Sequence, residues 1–422
     1  MAADDGPGGL HRGAVAVLVV GIIFIGFNLR TAIASLPPVF PELSAQLGLS
    51  ATAITVLATI PVVCFGLFSG VAAPLSRRFG EERVLLASLS LVAAGLVLRG
   101  ALPRILLYPG TVLACGAIAL MNVLLPSMVK RRQPSRAGLL IGTYLLFLGI
   151  GSVLGSLLAV PGYQYAADAP WLGGSVRFSL WMWAAPAAVA FVVWLPQWRY
   201  RPPPGGPAPA EPARWRNGPP SARVAVTRHA LAWQVTAFMG LQSLSYYAAL
   251  SWLPTLLRDR GATAAHAGTL LALMNLGNAV TAMLIPVIAH RMAAQRLLVV
   301  PTVIATAAGI AGALYAPLGS AWAWILLLGL AQGAALGLGI FFTMARTHDP
   351  VAAASLSAMA QGWGYLLAAL GPLAVGLLHA STGGWDIPVT LLLVLCAVEL
   401  AAGWLAARGR VLPPPGPQPV TG

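Results

Sequence analysis

The sequence predicts an all-α integral membrane fold with twelve transmembrane helices in two pseudo-symmetric six-helix bundles. Of its 422 residues, 58% are hydrophobic and only 9% are charged, which is too little charge to cover the surface of a soluble protein. Apolar runs of about 20 residues, the length that spans a bilayer as a helix, recur from end to end. The second half of the chain also resembles the first, weakly but in consistent places, which favours two related bundles.

The N-terminal bundle is predicted over residues 1–196 and the C-terminal bundle over residues 229–407. The predicted spans cover residues 14–36, 52–75, 84–102, 105–128, 138–160, 176–196, 229–253, 266–289, 297–317, 321–343, 353–379 and 387–407. Residues 197–228 are rich in Pro, Gly and Arg and predict a largely irregular cytoplasmic linker. Residues 408–422 predict a disordered cytoplasmic tail.

The positions of the basic residues predict which helix ends face the cytoplasm. With both termini in the cytoplasm, 19 of the 25 Lys and Arg residues fall on the inner side and five on the outer side, while Arg30 lies within the first span. This bias agrees with the positive-inside rule. The net charge of +14 is therefore interpreted as a topology signal rather than a nucleic-acid-binding surface, because no loop combines a basic stripe with aromatic residues.

The composition gives no sign of a catalytic, metal or cofactor site. Cys64, Cys115 and Cys396 all lie in apolar runs without a CxxC pair, so we expect buried free thiols. The 11 acids and six histidines are scattered along the chain, without the clusters that an integral-membrane enzyme would need. We expect a monomeric non-enzyme that uses no cofactor and whose partners are the lipid bilayer and a small-molecule solute.

Two pairs of corresponding segments show the internal repeat. The stretch "SLPPVFPELSAQLGLSATAI" (35–54) corresponds to "SWLPTLLRDRGATAAHAG" (251–268), because each closes a first span with a proline and crosses a short outer loop. Two spans on, Arg77 and Arg83 in "SRRFGEER" match Arg291 and Arg296 in "HRMAAQR". Parallel halves of this kind are typical of transporters, whose solute site lies near the membrane midplane between them.

Six plus six spans, a basic central loop and repeated halves resemble the major facilitator superfamily. That family has the pattern G-x-x-x-D-R-x-G-R-R between its second and third spans, and "APLSRRFGEE" (73–82) stands there in this chain. Arg78 and Gly80 match the pattern, whereas Arg77 replaces its Asp and Glu81-Glu82 replace its final arginines. The resemblance implies that this loop, with Arg83, Arg291 and Arg296, takes part in conformational change. The substitutions leave its charge pairing open.

The motifs "NLRTAIASLPPVFPEL", "APLSRRFGEERVLL" and "LSAMAQGWGYLLAALGPLAVGLLH" are similar to the cyanate and 2-nitroimidazole transporter family within that superfamily. This resemblance implies alternating-access transport of a small polar or anionic solute, such as a cyanate-like anion, a carboxylate or a nitro-heterocycle, across the inner membrane. It does not specify the solute.

Arg30 is the leading candidate for a solute-binding residue. It lies about 16 residues into the first span, roughly 24 Å along the helix and nearer its outer end. An arginine in hydrocarbon costs at least about 2.5–3.5 kcal/mol, which favours an inward-facing functional position; the alternative is snorkelling to the outer interface. Asn28 is a second candidate, although about 200° of helical rotation separates it from Arg30, so both cannot face one cavity.

Other polar side chains inside the spans complete the predicted site. Gln242 and Tyr246 share one face of the seventh span, and the repeat places Tyr246 opposite Arg30. The remaining candidates are Asn122, Tyr144, Asn275, Asn278, Gln332, Gln361, Trp363 and Tyr365, with Trp363 expected to stack on the solute. The alternative for each is a hydrogen bond between helices. Trp252 is predicted to lie in the interfacial aromatic belt.

Coupling and direction of transport stay open at this stage. Glu399 is the only acid deep within a span, and it suits a structural role as well as proton coupling. Facilitated diffusion, proton symport and exchange therefore all remain alternatives. A proton-coupled multidrug exporter is the main functional alternative, but it would usually have a membrane acid in the N-terminal half, which this sequence lacks.

Overall fold

Twelve helical spans make up the protein in the computed structural model, which describes residues 12–101, 104–168, 175–199, 226–292, 294–348 and 350–412. Most of the predicted linker and tail fall outside these residues. The spans are α1 (Arg12–Ala34), α2 (Ala51–Phe79), α3 (Glu81–Gly100), α4 (Leu107–Arg132), α5 (Ala137–Ala167), α6 (Ala184–Trp194, preceded by the short helix Ser175–Trp181), α7 (Ala230–Asp259), α8 (Ala264–Arg291), α9 (Arg296–Tyr315), α10 (Ala321–Ala345), α11 (Pro350–Thr382) and α12 (Asp386–Ala406).

Eleven helical segments of the described chain are long and apolar enough to cross a membrane. The remaining span is α7, which is 30 residues long and carries the polar stretch "LQSLSYY". Most of α7 is buried against other helices rather than turned to lipid. A helix in that position tolerates hydroxyl and amide side chains, which explains why its hydropathy is low. The protein is thus an all-α, multi-pass membrane protein.

The internal repeat reappears in the caps of the two outer loops. Gly48 and Gly261 both adopt positive φ, at 60° and 98°, where a residue without a Cβ is favoured. Ser50 and Thr263 then cap the following helices, each side chain accepting a hydrogen bond of 3.2 Å from the backbone N–H three residues on. The weak sequence match therefore reflects the same turn chemistry used twice.

Pairs of spans form the interface between the two halves. Within the N-terminal half α1 packs on α5 and α3 on α4, and within the C-terminal half α8 packs on α10 and α7 on α11. Across the interface, α2 packs on α11 and α5 on α8. The first span of each half, α1 or α7, therefore lies beside the interface, where a solute site of a two-bundle transporter is expected.

The halves are closed against each other at the end predicted to face outward. Glu42, in the short helix Phe40–Leu47, accepts two hydrogen bonds from Nη1 of Arg258 at the end of α7, at 2.7 and 2.8 Å. Next to this ion pair, the ring of Phe40 lies 6.0 Å from that of Trp252. The prediction that Trp252 lies in the interfacial belt is wrong, because its side chain is buried and its indole donates to the Pro372 carbonyl at 2.9 Å.

The loop between α2 and α3 has a charge pairing that the sequence left open. Arg131, at the end of α4, donates to Glu81 at 3.0 Å and to Glu82 at 2.7 Å. In the equivalent region of the C-terminal half, Arg346 donates to Gln295 at 2.9 Å. The acids thus stabilise the inner end of the N-terminal half itself, with the basic partner supplied by α4.

The other predicted loop residues lie around these pairs. Gly80 caps α2 with a φ of 88° and donates to Ser76 at 2.8 Å. Arg296 stacks over the ring of Trp404 at 4.7 Å. Arg77, Arg78, Arg83 and Arg291 are all exposed. Their part in conformational change stays a prediction.

Candidate solute-binding site

Different faces of α1 make different contacts, and the face that bears Arg30 lies against the interface between the halves. Two glycines of α5, Gly151 and Gly155, lie directly against the α1 backbone at Phe27 and Thr31. No larger residue fits there, because a Cβ would meet those backbone atoms. Arg30 lies on a different face of α1 and reaches α7 of the other half.

Asn28 lies away from Arg30, as the helical geometry requires. Its amide donates to the carbonyls of Phe24 in the same helix, at 2.8 Å, and Pro186 in α6, at 3.1 Å. The side chain is buried and linked within the N-terminal half. The structure therefore places Asn28 in an interhelical contact with α6, the alternative that the sequence allowed for one member of the pair.

Arg30 is held by aromatic rings rather than by an acid. Its Cζ lies 5.6 Å from the ring centroids of both Tyr246 and Tyr247 in α7, a distance at which cation–π attraction operates. Its Nη1 atom is buried and has no hydrogen-bond partner. Among the residues that the structure describes, no Asp or Glu pairs with this guanidinium. A buried positive charge with a free donor is the result.

Four tyrosines lie around this charge and Phe65 packs against two of them; we name these five side chains the aromatic cage: Phe65, Tyr144, Tyr246, Tyr247 and Tyr365. The four tyrosines all lie close enough to interact electrostatically with Arg30. Ring centroids are 5.1 Å apart for Tyr246 and Tyr247, and 5.7 Å apart for Phe65 and Tyr365. Phe65 and Tyr144 belong to the N-terminal half and the other three to the C-terminal half, so both bundles build the cage.

Hydrogen bonds fix two of the cage tyrosines. The Tyr246 hydroxyl donates to Oδ1 of Asn275 in α8 at 3.1 Å, and the Asn275 amide donates to Oγ of Ser156 in α5 at 3.0 Å. This relay crosses from one half to the other. Within the N-terminal half, the Tyr144 hydroxyl donates to Oδ1 of Asn122 at 3.0 Å. Two of the four predicted asparagines, Asn122 and Asn275, therefore orient tyrosines of the cage.

Two further predicted residues, Gln242 and Gln361, lie on helices that bear cage residues, and a third, Asn278, lies on α8 near Asn275. Gln242 is buried and donates to the Met239 carbonyl at 3.1 Å and to Ser243 at 2.6 Å, so its amide is used within α7. Asn278 is half-buried one turn beyond Asn275. Gln361 is exposed one turn from Tyr365 and bonds to Ser357 at 2.9 Å.

Gln332 and Trp363 lie away from the cage. Gln332 is fully buried inside the C-terminal half, and neither amide atom has a hydrogen-bond partner. Trp363 is 56% exposed and its ring lies 6.3 Å from that of Trp233. Trp363 lies two positions before Tyr365 in the chain, so the two side chains point to opposite sides of α11. The expected stacking of Trp363 on a solute beside Arg30 therefore has no geometric support.

Sequence reasoning missed several contributors to the site. Phe65 lies in an apolar stretch, where an aromatic residue carries no distinctive signal, and Tyr247 directly follows Tyr246, the residue that the repeat singled out. Ser156 was one of several small residues in a glycine-rich span. Their roles emerge only because the two halves meet, and no pattern within one helix encodes that contact.

Comparisons with known proteins show which family and which fold this chain resembles. The sequence model of the Major Facilitator Superfamily matches residues 18–372. The chain is 35% identical over 394 residues to the 2-nitroimidazole transporter of Escherichia coli (strain K12), covering 93% of this chain and 96% of that protein. It is 29% identical to the cyanate transport protein CynX of the same organism, covering 87% and 91% of the two chains.

Solved structures share the architecture. A bacterial homolog of the human lysosomal transporter Spinster, inward-facing and unoccupied, superposes with a TM-score of 0.78 at 16% identity, covering 95% of this chain and 98% of that one. A D-xylose–proton symporter gives a TM-score of 0.70 at 16% identity, covering 94% and 100%. At such identity the likeness shows the fold alone.

Proposed function

The chain belongs to the major facilitator superfamily and is a secondary transporter of small solutes, and we propose that the solute is a small anion or strongly polar molecule bound against Arg30. The observation that carries this proposal is the free, buried Nη1 of Arg30 in a cage without a described carboxylate partner. A buried cation that lacks a counter-charge is unfavourable, and an anion would supply that charge.

The chemistry of the cage supports a planar solute. A guanidinium presents a rigid fork that matches the two oxygens of a carboxylate or nitro group. The hydroxyl of Tyr365 offers a further hydrogen bond, and the rings of the four cage tyrosines offer faces on which a flat solute can stack. Among relatives, one is named for 2-nitroimidazole and another for cyanate, which are small and planar.

The arrangement of the halves supports alternating access. In this conformation Glu42 and Arg258 hold the predicted outer end closed, so the solute would exchange through the opposite, predicted cytoplasmic end. Rocking of the halves would break this ion pair and the Asn275–Ser156 hydrogen bond and expose the cage to the outside. We place the protein in the inner (plasma) membrane as a monomer with both termini in the cytoplasm, as the basic residues favour.

Binding measurements on purified protein test this proposal. Cyanate, benzoate and 2-nitroimidazole are titrated into wild-type protein and Arg30→Ala. Truncating a buried, hydrogen-bonded charge costs about 3 kcal/mol, so the affinity for a bound anion should fall about 100-fold. Arg30→Lys keeps the charge but loses the fork, and we expect about a tenfold loss.

Arg136→Ala is the matched control, because Arg136 is an exposed arginine of the same half. Its affinity should equal that of the wild type. An Arg30→Ala variant that is folded and binds the same anion with wild-type affinity would refute the assignment.

A further inference from the structure

A second buried polar site lies inside the C-terminal half, outside the aromatic cage. Glu399 of α12 is 1% exposed, and its Oε1 atom is buried without a hydrogen-bond partner. No ion pair involves Glu399 among the described residues. Burying an ionised carboxylate in such surroundings costs several kcal/mol, which is more than a purely structural carboxylate would contribute to stability.

The layers on either side of Glu399 are apolar. One turn further along α12, Gly403 lies against Phe238 of α7 and Val299 of α9, and a Cβ at Gly403 would meet them at 2.7 and 2.8 Å. In the other direction, Leu392 of α12 lines an apolar cavity together with Ile310. Glu399 therefore lies between two tightly packed apolar layers where α7, α9 and α12 meet.

Charged and titratable groups on the neighbouring helices have other partners or lie at the helix ends. Cys396, one turn away on α12, is a buried thiol. On α7 and α11, the tyrosines face Arg30 and belong to the cage. The remaining groups lie toward the helix ends: Arg296 and Tyr315 on α9, His229, Arg258 and Asp259 on α7, His379 on α11, and Asp386 on α12.

Gln332 of α10 is another buried polar residue of the C-terminal half. Leu328, one turn before it, lies against Gly309 of α9 and lines the apolar cavity that Leu392 also lines. Both amide atoms of Gln332 are buried and unpartnered. Two buried polar groups without partners in one half are uncommon, because native proteins satisfy nearly all such groups. A neutral carboxylic acid and a neutral amide fit this environment, whereas a carboxylate does not.

We propose that Glu399 is a proton-binding site of the C-terminal half, occupied in this conformation and emptied when rocking of the halves admits water. On release, the O–H bond of the carboxylic acid breaks and the proton passes to water, which leaves a carboxylate. On return, the same bond forms again. The proposal rests on the rocking of the halves proposed above but not on the identity of the solute.

Proton binding at this position has a consequence for charge balance. A monovalent anion at Arg30 and a proton at Glu399, carried in one cycle, move no net charge across the membrane. The anion site lies at the interface between the halves and Glu399 lies inside the C-terminal half, so the rocking motion rather than direct contact would link the two sites. Such separation is typical of coupling through a conformational equilibrium.

Infrared spectroscopy tests the protonation directly. Wild-type protein in lipid nanodiscs at neutral pH should show the C=O band of a protonated carboxyl group, which shifts in D₂O. Glu399→Gln should lose that band, whereas the control Asp386→Asn, on the same helix, should keep it. A Glu399→Gln spectrum that retains the band unchanged, or a wild-type spectrum without it, would overturn the proposal.

Distance measurements test the link to the conformational cycle without any solute. Spin labels at Ala51→Cys and Ala265→Cys, both at exposed outer helix starts of opposite halves, report whether the outer end is closed. For one coupled proton, the ratio of open to closed populations should change by up to about tenfold per pH unit.

The expected result is a pH dependence that disappears in Glu399→Gln and persists in His379→Gln. The histidine control is needed because Nε2 of His379 lies 3.7 Å from the carboxylate of Asp259 near the same end of the protein as the labels. A pH dependence that survives in Glu399→Gln, or none in the wild type, would overturn the coupling. Because neither method uses a solute, failure here is distinct from failure of the anion-binding proposal.

Discussion

Two buried arginines of the N-terminal half should respond differently to truncation. The guanidinium of Arg99 in α3 donates to the carbonyl of Ala32 at 2.9 Å and to that of Leu180 at 3.0 Å. Nε of Arg99 is also unpartnered, but both terminal nitrogens of Arg99 donate, whereas Nη1 of Arg30 has no partner. If Arg99 is structural and Arg30 functional, only the loss of Arg99 should destabilise the protein.

The structure gives the approximate size of the difference. Each hydrogen bond from a charged donor contributes about 1.5–3 kcal/mol, so Arg99→Ala should cost about 3 kcal/mol or more and leave two carbonyls unpaired. Arg30→Ala loses two cation–π contacts worth about 0.5–2 kcal/mol each and a hydrogen bond with Tyr247. It also removes an uncompensated buried charge that costs several kcal/mol. The net change for Arg30→Ala should therefore be close to zero.

Thermal unfolding in detergent, followed by tryptophan fluorescence at one scan rate, measures the difference. We expect the Tm of Arg99→Ala to fall by several degrees and that of Arg30→Ala to stay close to the wild-type value. If Arg30→Ala unfolded at or below the temperature of Arg99→Ala, Arg30 would be a structural residue, and its assignment as an anion-binding residue would be wrong.

Three further substitutions probe the contacts around the site. Asn275→Leu should remove the hydrogen bond to Ser156 and weaken contact between the halves by about 1 kcal/mol, seen as a roughly fivefold population shift in spin-label distances; unchanged distances would contradict this. Glu42→Gln should break the ion pair with Arg258 and increase labelling of cysteines placed at the outer end; labelling at the wild-type rate would count against the closed outer gate. Tyr247→Phe should retain anion affinity because the ring remains, while Tyr247→Ala should lower it severalfold; equal affinities would exclude a role for the ring.

The sequence predicted the parts of this fold that depend on local physics. Apolar length predicted the spans, and the match between the two outer loops reflected Gly48 and Gly261 at positive φ and their capping partners Ser50 and Thr263. Helical periodicity also separated Asn28 from Arg30 correctly, and the Asn28 amide bonds to α6.

Features that depend on contact between helices escaped prediction. Trp252 looked like an interfacial residue because its position near a helix end is all that the sequence shows. Its burial arises from α11 and the short helix Phe40–Leu47, which close over it. The partner of Glu81 and Glu82 was unreadable for the same reason, since Arg131 comes from the far end of another span. Tertiary packing supplied these contacts.

Counterflow in proteoliposomes measures directly whether Arg30 binds the transported solute. The probe is a radiolabelled anion selected by its measured affinity for the wild-type protein, and wild type, Arg30→Ala and Arg136→Ala are compared at matched protein density. Wild type and Arg136→Ala should exchange the anion, while Arg30→Ala should exchange it at least about 100-fold more slowly at low anion concentration. Exchange at the wild-type rate by Arg30→Ala would contradict the claim that Arg30 binds the transported solute.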